Sequence, residues 1–314
     1  MKRVLITGAC GQIGSELVVH LRELLGKDQV IATDIKKPSQ FVKASDGFHY
    51  LNVLDRERLA QLVVEFEIDT IFHMAAILSA RGEQNPQMAY HVNMNGLLNV
   101  LEVGREKGVS CVVCPSSIAA FGPDAPKENT PDDTPLNPTT MYGVTKVAGE
   151  KLMQYYFLKY HLDTRSLRYP GIISSETAPG GGTTDYAVDM YVHAVKNEPY
   201  VCYIDRDTPL PFMYMPDAIR AITELAAAPA ARIKRRVYNV HAMRLTPGEI
   251  EASIKKYVPE FQVEYRPDFR QQIAESWPHS IDDHHARQDW QWQPGFDLDA
   301  MTQDMLEKLR QKYK

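Results

Sequence analysis

The stretch TGACGQIG, residues 7–14, decides the fold because it places three glycines between an apolar run and an amphipathic one. The preceding RVLITG predicts a β-strand, and the following QIGSELVVHLRELLG predicts a helix with its apolar side chains on one face. Glycines at such a junction permit a tight turn and let another molecule approach the backbone closely. The stretch therefore predicts a strand–turn–helix unit whose turn receives a ligand.

The alternation of apolar runs and amphipathic stretches continues through the first half of the chain. Further strands are predicted at QVIATD, TIFHMAA, SCVVCPSS and TRSLRYPG, with helices between them. Such strict alternation is typical of a parallel sheet covered by helices on both faces. After residue 171 a glycine-rich polar segment, late strands and late helices follow. We therefore expect an α/β fold, a Rossmann-type doubly wound parallel sheet with a smaller C-terminal substrate lobe.

Composition excludes several classes of protein. The chain has 314 residues and a net charge of −5, so its charge balance predicts no nucleic-acid partner. No apolar run approaches the roughly 20 residues of a membrane helix, and no membrane partner is expected. The N-terminus enters the first predicted strand at once, which is not the pattern of a secretory signal. Four cysteines are too few for a disulfide scaffold in a chain this long, so a reducing, cytoplasmic location is expected.

Two clusters of metal-ligand residue types are also better explained without a metal. Cys111 and Cys114 form a C-x-x-C, but they lie in an apolar run that predicts a buried strand. The segment DDHHARQD, residues 282–289, has adjacent carboxylates and imidazoles whose side chains diverge. Neither spacing fits a common zinc pattern, and we expect no metal site.

The glycine turn has the chemistry of a dinucleotide site. Phosphates are favoured at a helix N-terminus by unpaired N–H groups and by the helix dipole. Asp34 ends the next predicted strand, 20 residues after Gly14, where a carboxylate accepts hydrogen bonds from an adenosine ribose. An acid there repels a 2′-phosphate, which favours NAD over NADP, although Lys36 and Lys37 follow it. The expected cofactor is NAD.

The expected cofactor site suggests a division of the chain into two lobes. We expect residues 1–171 to form an NAD-binding Rossmann domain, to which segments around 201–240 return. Residues 172–200 and 241–314 are expected to form the smaller substrate lobe. No linker rich in proline, glycine and serine separates the two parts, so the two lobes should pack closely together.

Ordered motifs over most of the chain resemble those of the extended short-chain dehydrogenase/reductase family. They are TGACGQIG (7–14), LNVLD (51–55), HMAA (73–76), NMNG (93–96), SSIAAFG (116–122), YGVTK (142–146), RYPG (168–171) and MYMPD (213–217). The resemblance implies a catalytic triad of Ser117, Tyr142 and Lys146, supported by Asn93. It also implies cofactor contacts at Gly8, Gly11, Gln12, Ile13, Asp34, Asn52, Val53, Ala75, Ala76, Asn93, Tyr142, Lys146 and Tyr169.

The spacing of Tyr142 and Lys146 makes chemical sense of that implied triad. Residues four apart share a helix face in any helix, so the pair alone is weak evidence. An ordinary tyrosine has a pKa of about 10, and a neighbouring ammonium favours the phenolate. By this resemblance Lys146 also holds the nicotinamide ribose and Ser117 binds the substrate oxygen. Tyr142 takes the hydroxyl proton while the carbon gives a hydride to NAD+.

The segment after the triad departs from the sugar-nucleotide enzymes of the family. The strand ends in RYPG where sugar epimerases commonly have RYFN, and residues 171–195 contain no Lys or Arg to bind a diphosphate. RYPGIIS, GGGTTDYAVDMY and SWPHSIDDHHARQDWQW (276–292) resemble instead the short-chain-type L-threonine 3-dehydrogenases. That branch implies oxidation of L-threonine, with substrate contacts at Ser79, Ser116, Tyr142, Thr183, Thr184, Asp185 and Trp277.

Several alternatives remain open at this point. Asp185 either faces the substrate ammonium or caps the following helix, and Trp277 either lines the pocket or packs in the core. A nucleotide-sugar epimerase or dehydratase is the alternative enzyme. A non-catalytic NAD(H) sensor is disfavoured because both Tyr142 and Lys146 are present.

A homodimer is expected from the resemblance, since the Tyr142 helix and the helix before it commonly pack across a twofold axis in this family. The stretch GEKLMQYYFLKY, residues 149–160, carries more apolar surface than one sheet face needs. The residues in question are Leu152, Tyr155, Tyr156 and Leu158.

Overall fold

The computed structural model describes residues 1–38, 42–43, 46–178 and 180–314. Strands and helices alternate from Val4 onward. The strands are β1 (Val4–Thr7), β2 (Val30–Asp34), β3 (Phe48–Tyr50), β4 (Thr70–His73), β5 (Cys111–Val113), β6 (Ser116–Ser117), β7 (Asp163–Tyr169), β8 (Gly171–Ile173), β9 (Tyr200–Cys202), β10 (Leu210–Tyr214), β11 (Val237–Asn239), β12 (Met243–Leu245) and β13 (Val263–Tyr265).

The helices are α1 (Gln12–Leu25), α2 (Arg56–Glu65), α3 (Ser79–Gln84), α4 (Pro86–Tyr90), α5 (Gly96–Lys107), α6 (Met141–Tyr160), α7 (Tyr186–Val195), α8 (Met215–Ala227), α9 (Pro247–Lys255), α10 (Phe269–Glu275), α11 (His284–Trp290) and α12 (Leu298–Lys312). Helices α1, α2, α5, α6, α9 and α12 lie at predicted helical stretches, and several further helices were not predicted. Short 3₁₀ turns occur at Lys27–Gln29, Ile118–Ala120 and Ala230–Arg232, and a π-helical turn at His91–Asn95 leads into α5.

The main sheet has the strand order β11-β7-β5-β4-β1-β2-β3, with β6 paired to β7. All of these pairs are parallel. The chain builds outward from β1 to β3, then crosses back to β4 on the other side of β1. This reversal leaves a crevice at the carboxyl ends of β1 and β4, where ligands of doubly wound sheets bind. The predicted Rossmann-type fold is confirmed.

Both faces of the main sheet are covered, as the alternating side chains of β1 illustrate. Val4 and Ile6 pack in a cluster with Leu17 of α1 and Ile219 of α8. Leu5, on the opposite face, packs in a second cluster with residues of α2 and α5. Neighbouring strand residues point to opposite faces, so burial of all of β1 requires helices on both sides.

The later segments form two small sheets beside the main one. Their strand orders are β12-β10-β8 and β13-β9. The segment 201–240 was predicted to return to the Rossmann domain. In it, α8 packs against both α1 and β7, and β11 pairs with β7. Strand β10 instead joins a small sheet. Trp290 and Trp292 pack in the same cluster as Val4 and Ile6, so part of the predicted segment 241–314 also contacts the main sheet. The division into domains stays a prediction.

Within the described ranges, no helix is both long enough and apolar enough to cross a membrane. Cys111, Cys114 and Cys202 are buried, and their thiols are free. Burial raises the pKa of the Cys111 thiol to about 12 and raises that of Cys114 as well, so neither is a ready nucleophile.

Candidate active site

The glycine turn between β1 and α1 is too tight for any side chain. Gly8 has a φ of +70°, and a Cβ there would lie 2.6 Å from the backbone nitrogen of Ala75. A Cβ on Gly14 would collide with the carbonyl of Gly8. The end of β1 is thus pressed against the residues after β4, and α1 starts directly on the turn. This region contains six predicted cofactor residues: Gly8 and Gly11 in the turn, Gln12 and Ile13 at the start of α1, and Ala75 and Ala76 after β4.

Asp34 lies at the edge of the same turn. Its Oδ2 accepts a hydrogen bond of 2.8 Å from the Cys10 N–H, and its Oδ1 accepts one of 2.9 Å from the Lys36 N–H. Each carboxylate oxygen has a second lone pair with which to accept a ribose hydroxyl. The Gln12 side-chain nitrogen is buried without a partner in the described chain, which leaves a donor unused at the turn. Glycine turn, helix N-terminus, acid and unused donor together fit a dinucleotide.

The predicted adenine-side residues follow β3. Val53 is buried, its side chain packs on Gly96, and its carbonyl accepts a 2.9 Å hydrogen bond from the Asn99 side chain. Asn52 is exposed, and its side chain accepts from the Leu54 N–H at 3.0 Å. Tyr169, by contrast, is buried in the core, where its hydroxyl donates to the carbonyl of Ala218. Contact of Tyr169 with a cofactor stays a prediction.

The three predicted catalytic residues meet where α6 packs on β6. Lys146 Nζ lies 5.3 Å from the ring centre of Tyr142 and donates a 2.7 Å hydrogen bond to the carbonyl of Pro115. Pro115 is two residues before Ser117. Gly143 packs so closely on the carbonyl of Ala119 that a Cβ would overlap it. The helix that carries Tyr142 and Lys146 therefore contacts residues that precede and follow Ser117 in the sequence.

The hydroxyls of this triad differ in their bonding. Ser117 caps the turn Ile118–Ala120, and its oxygen accepts the Ala119 N–H at 3.2 Å, which leaves its own O–H free to donate. The Tyr142 hydroxyl has no hydrogen-bond partner among the residues that the structure describes. The Ser117 O–H and the Tyr142 hydroxyl are therefore both available to hydrogen-bond an oxygen of a bound molecule.

Asn93 lies in the π-helical turn His91–Asn95, and such turns are frequent at functional sites. Its side chain accepts from the Ile77 N–H at 2.8 Å and donates to the Ile77 carbonyl at 3.0 Å. It also donates to the Thr145 hydroxyl at 3.2 Å. Asn93 thus joins the segment after β4 to the residue beside Lys146, and its supporting role in catalysis stays a prediction.

His73 ends β4 beneath this region and is fully enclosed. Burial, and secondarily the charge of Lys146, lowers its pKa to about 3, so the imidazole is neutral. Its Nδ1 lies 2.8 Å from the Thr7 hydroxyl. This pair ties the carboxyl ends of β1 and β4 together at the crevice.

Two of the predicted substrate residues, Ser79 and Thr183, are brought into contact from distant parts of the chain. Their hydroxyl oxygens lie 3.1 Å apart, and the Thr183 N–H donates to the Ser79 oxygen at 3.3 Å. Thr184 is next in the chain and packs on Gly171, where an added Cβ would lie 3.0 Å from the Thr184 Cβ. The threonine pair therefore lies between α3 and the start of β8.

Asp185 does something that neither predicted alternative describes. Its Oδ2 accepts the backbone N–H groups of Gly181 and Gly182 at 2.9 Å and 2.8 Å. It precedes α7, but its side chain makes no capping hydrogen bond to that helix. Burial raises the pKa of this carboxyl to about 6. Asp185 therefore organises the glycine turn before it, and a contact with a substrate ammonium stays a prediction.

The last two predicted substrate residues are largely committed to other groups. Trp277 is buried in the same apolar cluster as Tyr142, and its carbonyl accepts from Lys127. The Ser116 hydroxyl donates a 2.5 Å hydrogen bond to Glu150. Packing is thus the observed role of Trp277, and a substrate contact by either residue stays a prediction.

Comparison with known proteins identifies the family of this chain. A family model described as the NAD dependent epimerase/dehydratase family matches residues 4–240. The chain belongs to this family. The predicted membership in the extended short-chain dehydrogenase/reductases is thereby confirmed, and the cofactor of the family is NAD. A relative named an uncharacterized epimerase/dehydratase, from Staphylococcus saprophyticus, is 50% identical over 100% of this chain and 99% of its own length.

Solved structures of the family distinguish its branches further. The L-threonine dehydrogenase of Phytophthora infestans is 52% identical, with a TM-score of 0.96, over 99% of this chain and 100% of that one. A monomeric L-threonine 3-dehydrogenase from a metagenome is 46% identical, with a TM-score of 0.95, over 99% of this chain and 100% of that one. The chain is thus similar over its whole length to threonine dehydrogenases.

Sequence reasoning missed two features of this family member's site. Arg81 of α3 lies beside Gly181, so that an added Cβ there would be 2.6 Å from the Arg81 Cγ and Cδ. Residues 171–195 contain no Lys or Arg, but this cation reaches the segment from another helix. Glu150 and Arg168 form a buried ion pair with a 2.8 Å contact. Its only sequence signal is an acid one helical turn after Lys146.

Proposed function

We propose that this protein oxidises the 3-hydroxyl of L-threonine to 2-amino-3-oxobutanoate, with reduction of NAD+. The observation that carries the proposal is the 52% identity, over the full chain, to an L-threonine dehydrogenase of known structure. The contact between Ser79 and Thr183 supports it, because two predicted substrate residues lie together at α3, the helix whose Gly82 packs on Tyr142.

In the proposed mechanism the proton of the substrate hydroxyl goes to Tyr142. Lys146 lies one helical turn away, and its positive charge favours the phenolate that accepts this proton. Ser117 donates its free O–H to the substrate oxygen, which keeps that oxygen directed at Tyr142. The electron pair of the C3–H bond leaves as hydride, and bound NAD+ supplies its acceptor.

The remaining residues position the reactants. Gly8, Gly11 and the start of α1 would hold the pyrophosphate, and Asp34 would accept the adenosine ribose hydroxyls. Lys146 would also bind the nicotinamide ribose. Thr183 and Thr184 offer hydroxyls to the substrate carboxylate and ammonium. Buried apolar neighbours of Tyr142 limit the access of water to the reacting carbon.

The test is an assay of the purified protein with NAD+ and L-threonine that follows the absorbance of reduced nicotinamide. L-serine, D-threonine and NADP+ are run in parallel. We expect rapid reduction with L-threonine and NAD+ and much slower reduction with the other combinations. NAD+ binding without any turnover of L-threonine would reject the proposed substrate.

A nucleotide-sugar epimerase or dehydratase is the second candidate. Its support is the family description together with Arg81, a cation beside the glycine-rich loop that could meet a diphosphate. The same protein is therefore titrated with UDP-glucose and dTDP-glucose. Micromolar binding of either sugar nucleotide, combined with inertness toward L-threonine, would favour this candidate.

We propose that the protein is a homodimer that associates through the outer face of α5 and α6. Leu98, Val144, Tyr155 and Leu158 are exposed there. Tyr156, one of the residues predicted for this face, is instead buried, and its hydroxyl donates to Glu102. Sedimentation at micromolar concentration tests the proposal, and one similar structure is described as monomeric. The cytoplasmic location also stays a prediction.

A further inference from the structure

A buried ion pair lies directly behind the proposed catalytic triad. Glu150 follows Lys146 by one turn of α6, and Arg168 lies on β7. The Arg168 Nε and Nη2 donate to the two Glu150 oxygens at 2.9 Å and 2.8 Å. Only 4% of the Glu150 side chain and 6% of the Arg168 side chain are exposed. Two charges are thus enclosed within reach of the site.

Ser116 completes this pair. β6 and β7 are in register so that Ser116 lies beside Arg168 and Ser117 beside Tyr169. The Ser116 hydroxyl donates to Glu150 Oε1, the same oxygen that receives the Arg168 Nε. The Glu150 carboxylate therefore accepts three hydrogen bonds, one from Ser116 and two from Arg168.

The helix holds the strand at a second point as well. Lys146 donates to the Pro115 carbonyl, immediately before Ser116. Two consecutive residues, Pro115 and Ser116, are therefore bound by two charged side chains of α6 that lie one turn apart. The next residue in the strand is Ser117.

Stability alone does not explain an ion pair in this place. Well-packed apolar residues of similar volume commonly stabilise a fold as much as a buried ion pair does, because both charges lose their hydration. A buried, bidentate pair does fix direction and register. At this place the register that it fixes is that of the strand carrying Ser117 against the helix carrying Tyr142.

We propose that Ser116, Glu150 and Arg168 form a positioning clamp that sets Ser117 relative to Tyr142. The clamp rests on the proposed function for its kinetic consequences. It assigns Ser116 a positioning role in place of the substrate contact implied by the family resemblance. The clamp residues act through Ser117 and do not touch the substrate.

The test compares Ser116→Ala with Ser166→Ala. Both serines line one small cavity of about 40 Å³ beside Lys146, and both are buried. The Ser166 hydroxyl has no hydrogen-bond partner in the described residues, so its loss leaves the clamp intact. Thermal melting of both variants first establishes that each is folded.

Misplacement of a reacting group by about 1 Å can cost on the order of 100-fold in rate, so we expect kcat to fall about tenfold or more in Ser116→Ala. KM for L-threonine should stay within about twofold, because the clamp does not bind substrate. Ser166→Ala should match the wild type in both constants. A raised KM with unchanged kcat in Ser116→Ala, or equal kinetics of the two variants, would overturn the clamp.

Hydrogen–deuterium exchange gives a readout that needs no turnover. Amides of residues 116–121 should exchange faster in Ser116→Ala than in Ser166→Ala, and faster still in Glu150→Gln if that variant folds. Equal exchange in the two serine variants would also overturn the clamp. Failure of the wild type to oxidise L-threonine would reject the proposed function instead, and the exchange comparison would then decide the clamp by itself.

Discussion

The two walls of the site are attached to the fold by different kinds of contact. The α6 wall carries Tyr142 and is attached to β6 by the ammonium of Lys146 and the carboxylate of Glu150. The glycine-rich wall, the described residues of 174–185, meets charged side chains at its start, where Lys312 donates to the carbonyls of Ser175 and Glu176. Beyond that point it is attached through hydroxyl groups. Thr183 contacts Ser79 of α3 at 3.1 Å, and Thr177 lies 2.8 Å from the hydroxyl of Ser15 on α1.

This difference separates the chemistry from substrate recognition. Hydrogen bonds to charged groups contribute about 1.5–3 kcal/mol, whereas neutral ones contribute about 0.5–1.5 kcal/mol. The wall that must hold a proton acceptor in a fixed place is the more strongly held one. At Thr177 and Thr183 the glycine-rich wall is held by weaker, neutral contacts. Changes to the α6 wall should therefore lower kcat, and changes to the glycine-rich wall should raise KM.

The largest effect is expected from Tyr142→Phe, which removes the proton acceptor of the α6 wall. General-base catalysis contributes about 10²- to 10⁴-fold, so kcat for L-threonine should fall by at least that factor. Binding of NADH, measured by fluorescence titration, should persist because the fold and Lys146 are unchanged. An active Tyr142→Phe variant would reject the assigned mechanism.

Tyr186→Phe is the matched control for that experiment. Tyr186 lies in the same buried cluster as Tyr142, and its hydroxyl is buried without a partner in the described part of the chain. Loss of an unpartnered hydroxyl should leave kcat within about twofold and stability equal or slightly higher. Comparable loss of activity in both variants would mean that the cluster, and not the Tyr142 proton acceptor, limits turnover.

The second prediction concerns the attachment of the glycine-rich wall to α1. Ser174 donates to Glu16 at 2.5 Å, and Glu176, Lys308 and Lys312 face the same carboxyl group. Burial raises the pKa of Glu16 from 4.5 to about 7. The folded state therefore binds this proton more tightly than the unfolded state does. Stability from this group is present below about pH 4.5 and is lost as the pH rises through 7.

Replacement by an uncharged isostere removes that loss. Glu16→Gln should be more stable than the wild type at pH 8 by up to about 3 kcal/mol, with the difference vanishing near pH 4.5. Urea unfolding at several pH values measures it. Glu23→Gln, an exposed change on the same helix, serves as the control and should show no such trend. A difference independent of pH would contradict the prediction.

The same comparison shows what sequence can and cannot predict. The Rossmann order and the pair Tyr142–Lys146 were predictable because they depend on local periodicity and on motifs a few residues long. The ion pair of Glu150 with Arg168 was not, because its partners are joined only when β7 returns beside β6. The contact of Ser79 with Thr183 spans 104 residues and was expected only through the family resemblance.

The contacts of the glycine-rich wall were harder to predict from sequence for a similar reason. Two roles were open for Asp185, and the structure shows a third, because the backbone at Gly181 has a φ of +97° and turns its N–H toward the carboxylate. The lack of cations in 171–195 suggested a site without them, yet Arg81 approaches from α3. Composition within one segment does not report what other elements bring to it.

The third prediction tests the weak wall directly. Thr183→Val keeps the shape of the side chain and removes the hydroxyl that contacts Ser79. Loss of one neutral hydrogen bond, about 1 kcal/mol, should raise KM for L-threonine about five- to tenfold and leave kcat within about threefold. Thr223→Val should leave both constants unchanged, because within the described chain this hydroxyl bonds to carbonyls of its own helix α8 alone. A fall in kcat with constant KM would place Thr183 among the proton-transfer residues.

The smallest effect on activity is expected at the exposed outer face of α6. Leu158 is 65% exposed on that face, and Leu24 of α1 is 59% exposed elsewhere. If the proposed dimer forms through α5 and α6, Leu158→Glu should convert it to monomers in sedimentation, because a charge would be buried in the interface. Leu24→Glu should remain dimeric. Because the triad is held by contacts within one chain, kcat of the monomeric Leu158→Glu variant should stay within about twofold of the wild type. A large loss of kcat on dissociation would mean that the α6 wall owes its rigidity to the partner as well as to the buried carboxylate.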